Sequence, residues 1–521
     1  MSRSLGMLLS FLSLFAGASA LAADVLDPNN PPHGRFLDEW AEVYMAGGKV
    51  GYMQSTMARE GEIVHTRTVT RLRIGRADSP VEIQMTQSTT ETLAGVPVAF
   101  GSEMNFAVMK THVRGAVKDG RVQLVKSQLG MNQTNTFDYP EGALMVWGDY
   151  RERLLRGFKP GTEYTLEAYS PEMREDGAIR SITKIGDWEQ IDLHGKPTRA
   201  QRMNVTVEAP TGRMDMTSWV DEQGRALKAT FPVPGLGDMV MLTTDAKTAL
   251  ADFVPPEVFM RTVIKANRRL DPKRLERVTY RLRATAPEVD LSEIPKTDMQ
   301  VPSVQPDGSV ELTVVRRPHK LQEGEHRTDG KASGRDATDP SRLREYLDSN
   351  LMMNISDPEL VKLAKKAAGK ACDPFTLADK LRRFVTDYVS NKTLNIGFAT
   401  ASEVCRTREG DCSEHAVLLA ALGRLHGLPS RVAVGVAYVP VFGRQDDVFG
   451  YHMWTQFYID GRWVDVDAAL RETVCSPTRI AFATSSLKST GLADLSLPMI
   501  SKIGSIGIEI EKVGSNSTGT D

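Results

Sequence analysis

Between residues 35 and 249, apolar and polar side chains alternate along short segments that turn-forming residues separate. Alternation with a period of two is typical of β-strands that bury one face and expose the other. Dipeptides that end in glycine favour tight turns between the segments, for example Gly47-Gly48, Glu60-Gly61 and Gln223-Gly224. The pattern predicts an antiparallel sheet with one solvent-exposed face. The clearest strand segments are 49–57, 63–74, 112–117, 121–129, 199–208 and 226–231.

One segment of this region has helical spacing. Residues 141–156 place Leu144, Trp147 and Leu154 on one side of a helix, and Gly157 follows as a stop signal. We therefore predict a β-rich N-terminal domain over residues 24–270, made of a curved antiparallel sheet with one helix. A half-barrel of this kind could cradle an apolar ligand or a peptide. A plainly packed sheet that positions the rest of the protein is the other interpretation.

The pattern changes after residue 254. We predict a short helix and linker over residues 255–270. Apolar positions alternate within 271–320, which predicts a small β domain. Residues 321–339 are charged, glycine-rich and poor in apolar side chains, which is typical of a linker. Residues 340–351, 357–368 and 374–389 have helical spacing within a domain predicted over 340–500. We interpret 438–448 as a loop and 501–521 as a C-terminal strand and tail.

The composition is that of an ordinary globular protein. The chain has 521 residues, of which 41% are hydrophobic and 25% charged, and this length predicts about three domains. Its net charge of −2 and dispersed Lys and Arg residues argue against a nucleic-acid partner. The sequence contains no recognisable cofactor-binding motif, and we predict neither a cofactor nor a resident metal.

The first residues resemble an export signal. Residues 1–22 combine Arg3, an apolar run and small residues at Ala18-Ser19-Ala20, which predicts a cleavable signal peptide. No later segment reaches the apolar length of a membrane-spanning helix. We therefore expect a periplasmic or secreted protein without an integral membrane segment after cleavage.

Cys412 is the first candidate catalytic residue. Gly410 permits a sharp turn, Asp411 and Ser413 are good N-cap residues, and 416–425 is a run of strong helix formers. Cys412 is therefore predicted to lie at a helix N-terminus, where the helix dipole favours the nucleophilic thiolate. A small buried side chain beside a helix cap is the plainer interpretation.

A base and its orienting carboxylate are found downstream. Aromatic and β-branched residues flank Asp460-Gly461, a strong signal for a two-residue hairpin turn. If the two strands pair across this turn, His452 and Asp467 become diagonal neighbours on one face. Asp465 shares that face but lies farther from His452. A three-residue turn would place His452 and Asp467 on opposite faces.

These motifs together resemble the transglutaminase-like superfamily, whose core is of the papain type. The resemblance covers about a quarter of the chain, and it implies an α+β fold and a Cys-His-Asp triad of Cys412, His452 and Asp467. The family often has a tryptophan upstream of the cysteine, but this chain has none between Trp219 and Trp454. The backbone N–H of Cys412 needs a second donor to stabilise an oxyanion, and the candidates are Tyr388, Asn391 and Asn395. The matching motifs are Gly410-Asp411-Cys412-Ser413-Glu414-His415-Ala416, Gly427-Leu428-Pro429-Ser430-Arg431-Val432, Tyr451-His452-Met453-Trp454 and Trp463-Val464-Asp465-Val466-Asp467.

The remaining cysteines leave two alternatives open. One disulfide could form among Cys372, Cys405 and Cys475, which suits an oxidising compartment. Alternatively, Cys405, Cys412 and His415 could ligate zinc, although no fourth ligand has suitable local spacing.

Three functions follow from these observations. The first is a cysteine enzyme that acts on amide bonds of protein or peptide substrates through a thioester, with hydrolysis favoured over protein crosslinking. The second is a periplasmic scaffold without turnover. The third is a ligand or peptide carrier that binds through the N-terminal sheet.

Overall fold

The computed structural model of this chain divides into two compact units, residues 1–258 and 259–521. It describes residues 26–76, 79–106, 109–128, 131–209, 212–233, 236–258, 262–285, 289–317, 343–369, 373–392, 399–443, 445–488, 502 and 504–515. The predicted signal peptide at 1–22 and linker at 321–339 lie outside these residues. Both units are rich in β-structure and contain a few helices.

The first unit is built on a 14-stranded antiparallel sheet among the described residues. Its strand order is β8-β7-β6-β5-β4-β3-β2-β1-β14-β13-β12-β11-β10-β9, so two meanders meet where β1 pairs with β14. The strands are β1 (Gly34–Met45), β2 (Gly48–Glu60), β3 (Ile63–Arg76), β4 (Ser79–Thr92), β5 (Pro97–Phe106), β6 (Met109–Lys118), β7 (Arg121–Gln128), β8 (Met131–Asp138), β9 (Glu163–Ala168), β10 (Ile179–Leu193), β11 (Lys196–Ala209), β12 (Gly212–Val220), β13 (Ala226–Val233) and β14 (Gly237–Thr244).

Alternating burial confirms the prediction of an antiparallel sheet with one buried face. In β9, for example, Tyr164, Leu166 and Ala168 are buried, whereas the residues between them are exposed. Among the described residues, two helices accompany the sheet, α1 (Val146–Arg156) and the short α2 (Ala246–Ala249).

Helix α1 begins five residues later than the sequence pattern suggests. Leu144 lies in extended backbone instead: its N–H donates to the carbonyl of Glu167, and its own carbonyl accepts from the N–H of Tyr169. Pairing with β9 thus holds this segment out of the helix. The prediction of a helix from residue 141 was wrong at its start, because local spacing cannot reveal a distant strand that competes for the same backbone groups.

Helix α1 is capped by a side chain from a distant strand. Met145, at the N-cap position, makes no side-chain cap. The carboxylate of Glu91 in β4 accepts instead from the backbone N–H groups of Trp147 and Gly148, each at 2.8 Å. Glu91 is fully buried and also accepts from the hydroxyl of Thr89 at 2.6 Å. This carboxylate therefore satisfies two N–H groups that have no partner within the helix.

Replacing Glu91 with alanine should destabilise the first unit by about 3 kcal/mol, because buried donors would lose their acceptor. Denaturant unfolding of the full chain, followed by circular dichroism, measures this change. Glu167→Ala, at an exposed position of β9, is the matched control and should change the free energy of unfolding by less than about 0.5 kcal/mol. Equal stabilities of the two variants would contradict the capping role.

The described residues of the second unit form two smaller antiparallel sheets. The first has the order β15-β20-β19-β22, with β21 paired to β20, and the second has the order β17-β18-β16-β23. The strands are β15 (Ile264–Lys265), β16 (Leu275–Ala284), β17 (Gln300–Val304), β18 (Val310–Val315), β19 (Ser430–Phe442), β20 (Gln445–Ile459), β21 (Arg462–Val466), β22 (Arg479–Ser485) and β23 (Ile506–Ser515). The helices are α3 (Pro358–Ala368), α4 (Pro374–Tyr388), α5 (Ala401–Thr407) and α6 (Cys412–Leu425), with a 3-10 turn at Arg344–Tyr346.

One hydrophobic core joins these two sheets. Val278 and Tyr280 of β16 and Phe449 of β20 are fully buried within it. The rings of Tyr280 and Phe449 meet edge to face with centroids 5.9 Å apart. Strand β23 pairs with β16, for example Ile510 with Tyr280, which confirms the predicted C-terminal strand.

Helices α3 and α4 confirm the predictions for 357–368 and 374–389. Of the helix predicted over 340–351, the described residues show Leu343 in α-helix and a 3-10 turn at Arg344–Tyr346, so the prediction was wrong from residue 347 onward. The side chain of Asn350 accepts from the N–H groups of Met352 and Met353 at 3.0 and 2.9 Å, a local bond that competes with a continued helix.

Two further predictions in this unit were wrong. Residues 255–258 and 262–270 contain no helix, because Ile264 and Lys265 form a strand with Phe449 and Val448. Residues 438–448 belong mostly to strands rather than to a loop, since β19 and β20 pair as far as Phe442 and Gln445. The partner of Ile264 and Lys265 lies far away in the chain. Strands β19 and β20 pair across a turn that the local sequence pattern did not define.

Candidate active site

Cys412 is the first residue of helix α6, as the sequence predicts. Asp411 caps this helix by accepting from the N–H of Ser413 at 3.0 Å, and Glu414 completes a capping box by accepting from the N–H of Asp411 at 2.9 Å. Gly410 adopts a φ of 148°, and a Cβ there would lie 2.2 Å from the Cβ of Glu414. Only glycine can therefore lead the chain into this tight helix start.

The capping arrangement leaves the thiol at the accessible end of a buried helix. Residues from Ser413 to Arg424 are buried, whereas Cys412 is partly exposed. The hydroxyl of Thr455 in β20 donates to the carbonyl of Ala416 at 2.9 Å, which attaches the first turns of α6 to β20. A partly exposed thiol at a helix N-terminus has the setting in which a thiolate is favoured.

Strands β20 and β21 form the predicted hairpin. Ile459 faces Arg462 across the two-residue turn, and Thr455 faces Val466, which is the register that the sequence indicates. Asp460 and Gly461 both adopt positive φ angles, 50° and 80°, as a type I′ turn requires.

This register places His452 against Asp467. The imidazole Nε2 lies 2.7 Å from the carboxylate Oδ2, and Asp467 is only 1% exposed. Because a buried carboxylate accepts hydrogen bonds, Nε2 carries the proton in this pair, and Nδ1 is the ring nitrogen able to act as a base. Asp465 lies elsewhere: it accepts from the amide of Gln456 at 2.6 Å, and burial raises its pKa.

A residue that the sequence analysis missed completes this arrangement. The guanidinium of Arg479 in β22 donates through Nη2 to Oδ2 of Asp467 at 3.1 Å. His452 and Arg479 together hold the pKa of Asp467 well below its usual range despite its burial. No local motif connects residues 467 and 479, so the sequence contains no signal for this contact.

Comparison with protein families identifies the segment that carries these residues. Residues 361–468 match the family model of the transglutaminase-like superfamily, and Cys412, His452 and Asp467 all lie inside the match. This segment belongs to the transglutaminase-like superfamily. The comparison with curated proteins gives no match.

This chain also resembles solved structures at low similarity. A candidate cysteine protease from Cytophaga hutchinsonii is 16% identical over 47% of this chain and 90% of that chain, with a TM-score of 0.27. A beta-barrel-like protein of a domain of unknown function from Brucella abortus is 12% identical over 40% and 96%, with a TM-score of 0.32. A candidate protease from Parabacteroides distasonis is 15% identical over 72% and 68%, with a TM-score of 0.19. These TM-scores are too low to carry an argument about this chain.

Two of the candidate oxyanion donors, Tyr388 and Asn391, have other hydrogen-bond partners. The hydroxyl of Tyr388 donates to the carbonyl of Cys405 at 2.6 Å, which uses its one hydrogen. Asn391 donates an amide hydrogen to Glu409 at 2.7 Å, and Asn395 lies outside the described residues. The hydroxyl of Tyr388 therefore has no hydrogen left to donate to an oxyanion in this arrangement.

The other described cysteines differ from Cys412 in their surroundings. Cys405 and Cys475 are buried thiols that form no disulfide with each other, and burial raises the pKa of both. Cys372 lies outside the described residues, so any disulfide that includes it stays a prediction. Within the described ranges, no cluster of three or more His, Cys, Asp or Glu side chains is arranged to hold a metal ion.

A search of the described residues for membrane spans found no helix with the length and apolar character that a crossing needs.

Proposed function

We propose that this chain is a cysteine enzyme that cleaves amide bonds of protein or peptide substrates through Cys412, His452 and Asp467. The observation that carries the proposal is the 2.7 Å hydrogen bond between His452 Nε2 and Asp467 Oδ2, on a hairpin that packs against the helix of Cys412. Membership of residues 361–468 in the transglutaminase-like superfamily supports it.

Each residue has one task in the proposed reaction. Asp467 fixes the tautomer of His452, so that Nδ1 accepts the proton of the Cys412 thiol. The sulfur then attacks the carbonyl carbon, and the oxyanion that forms accepts a hydrogen bond from the backbone N–H of Cys412. His452 returns the proton to the departing amine as the C–N bond breaks, which leaves a thioester on Cys412.

The second half of the reaction decides the product. Water attacks the thioester, His452 accepts its proton, and the C–S bond breaks to release a carboxylic acid and the thiol. We propose this hydrolytic outcome. If an amine attacks instead, the product is a new amide and the enzyme is a crosslinking transferase. Incubating a protein substrate with and without a fluorescent primary amine separates the two, because only transfer incorporates the label.

Alkylation of Cys412 by iodoacetamide across pH tests the proposal without a known substrate. We expect the rate to reach its midpoint below that of a free thiol, which is about 8.5, and His452→Ala to raise that midpoint. Mass spectrometry of tryptic peptides locates the label. Cys405 is the internal control, since burial raises its pKa and should keep it slow throughout. A rate at Cys412 that does not depend on His452 would favour a scaffold without turnover.

We propose an extracytoplasmic location for this reaction. The support is the signal-like composition of residues 1–22, with Arg3 before an apolar run and small residues at Ala18-Ser19-Ala20. Intact-mass measurement of the protein isolated from cell fractions tests this proposal. Full-length protein confined to the cytosol would contradict it.

A further inference from the structure

A cluster of buried charges lies behind the imidazole of His452. Arg479 is 2% exposed and contacts two carboxylates, Asp467 through Nη2 at 3.1 Å and Glu472 through Nη1 at 2.8 Å. The nitrogen that reaches Asp467 donates to Oδ2, the same oxygen that faces His452 Nε2. The guanidinium and the imidazole thus share one carboxylate oxygen.

We infer that Arg479 is a positioning residue for the proposed reaction, which acts through Asp467 to keep the imidazole of His452 in one tautomer and one orientation. The inference rests on the proposed function and extends it to a residue outside the segment that matches the family, since the match ends at residue 468.

The physical reason is the cost of a buried anion. Asp467 is almost completely removed from water, and burial alone would favour its neutral form. A protonated carboxyl could place its own hydrogen toward Nε2 and release the ring from its tautomer. The fixed positive charge of Arg479 opposes that protonation, because arginine stays charged across the accessible pH range. The backbone N–H of Leu470 adds a third donor, to Oδ1 at 2.9 Å.

Glu472 fixes the position of Arg479. Its carboxylate accepts from Arg479 and also from the N–H and the hydroxyl of Ser476, at 2.7 and 3.2 Å. Two backbone hydrogen bonds join residues 467 and 472, one in each direction, at 2.7 and 2.8 Å. The two carboxylates are therefore held at a fixed spacing, and the planar guanidinium bridges them with one Nη atom on each.

Several other groups face this cluster. The ring of Trp454 lies 5.9 Å from the guanidinium carbon, and His415 is close enough for Asp467 to influence its pKa. Asp465, Cys475 and Tyr280 also interact with the charge of Arg479, and burial raises the pKa of each, which favours their uncharged forms. Asp467 and Glu472 are therefore the carboxylates that Arg479 contacts directly, and Asp467 is the one whose titration its removal should change most.

The test compares two variants. Arg479→Met removes the positive charge, and Arg479→Lys keeps the charge but replaces the planar guanidinium with an ammonium group. Arg424→Met is the matched control, because Arg424 is also buried but bonds to the carbonyls of Asp348, Ser430 and Ser486. The pH profile of kcat/KM on an amide substrate, or of Cys412 alkylation, is measured for each. The acid limb of this profile is the pH below which the rate falls. We expect Arg479→Met to raise that pH by about one to three units. Arg479→Lys should move it less, and Arg424→Met should leave it in place.

A second measurement keeps this inference separate from the proposed function. Proton NMR of nitrogen-15 labelled protein detects the hydrogen on His452 Nε2 directly, whether or not the protein turns over a substrate. We expect this signal to persist to acidic pH in the natural protein and to disappear at higher pH in Arg479→Met. If the signal and the acid limb are the same in both proteins, Arg479 is not a positioning residue. If the signal behaves as expected but His452→Ala leaves the pH midpoint of Cys412 alkylation unchanged, the proposed function fails and the positioning role stands.

Discussion

Replacing Cys412 with alanine is expected to lower the rate of amide-bond cleavage by at least about 10⁴-fold, because no other group at this helix start can form the thioester. The substitution removes one sulfur from a partly exposed position, so the protein should fold with nearly unchanged stability. Release of new amino groups from an unfolded protein substrate, followed over time, measures the loss. Circular dichroism checks that the variant is folded.

Cys405→Ala is the matched control for this experiment. Its side chain is buried in helix α5, and burial raises the pKa of its thiol, so it should not act as a nucleophile near neutral pH. This variant should retain activity within about threefold of the unchanged protein, with a modest loss of stability from the small cavity. If activity survives in Cys412→Ala but is lost in Cys405→Ala, Cys412 is not the nucleophile and the proposal is wrong.

Replacing Asp467 with asparagine is expected to lower kcat by roughly 10³–10⁴-fold, because the amide can no longer hold the imidazole as a carboxylate does. Oδ2 accepts from both His452 and Arg479, and Oδ1 accepts from the N–H of Leu470. Wherever asparagine places its NH2 group, a donor faces another donor. The charge of Arg479 also loses one of its two compensating carboxylates, so stability should fall as well.

Asp465→Asn distinguishes a specific effect from the loss of any buried carboxylate. Asp465 lies on the same hairpin, is equally removed from water and bonds to Gln456 rather than to His452. Burial raises its pKa, so a neutral side chain is better tolerated there. We expect kcat within about threefold of the unchanged protein. If the two variants lose activity equally, Asp467 does not have the orienting role.

The pH dependence of Asp467 gives the sign of its contribution to stability. Its folded-state pKa is lowered, so the stabilisation is fully present above the ordinary pKa of aspartate and is lost only as pH falls through the lowered value. The contact with His452 should therefore remain intact throughout mildly acidic conditions.

The parts of the site that could be predicted from sequence are local. Asp460 and Gly461 tolerate positive φ angles, so the turn type, the register and the approach of His452 to Asp467 follow from a few neighbouring residues. The start of helix α6 is equally local, since Asp411 and Glu414 cap it within four residues.

The parts that could not be predicted depend on distant pairing. Arg479 reaches Asp467 because β22 pairs with β19, and Glu91 caps a helix that begins more than fifty residues later in the chain. The two-residue strand Ile264–Lys265 exists only because β20 passes beside it. Hydrophobic periodicity describes each segment alone and contains no information about such partners.

The pairing of β16 with β23 has a consequence for biosynthesis. Translation of the residues that separate these two strands takes roughly 10–40 s at ordinary elongation rates. During that time the nascent second unit exposes the unpaired edge of β16 and part of the apolar surface that β23 later covers. The second unit therefore reaches its final fold only after β23 has been made, and until then the β16 edge needs protection from pairing with another chain.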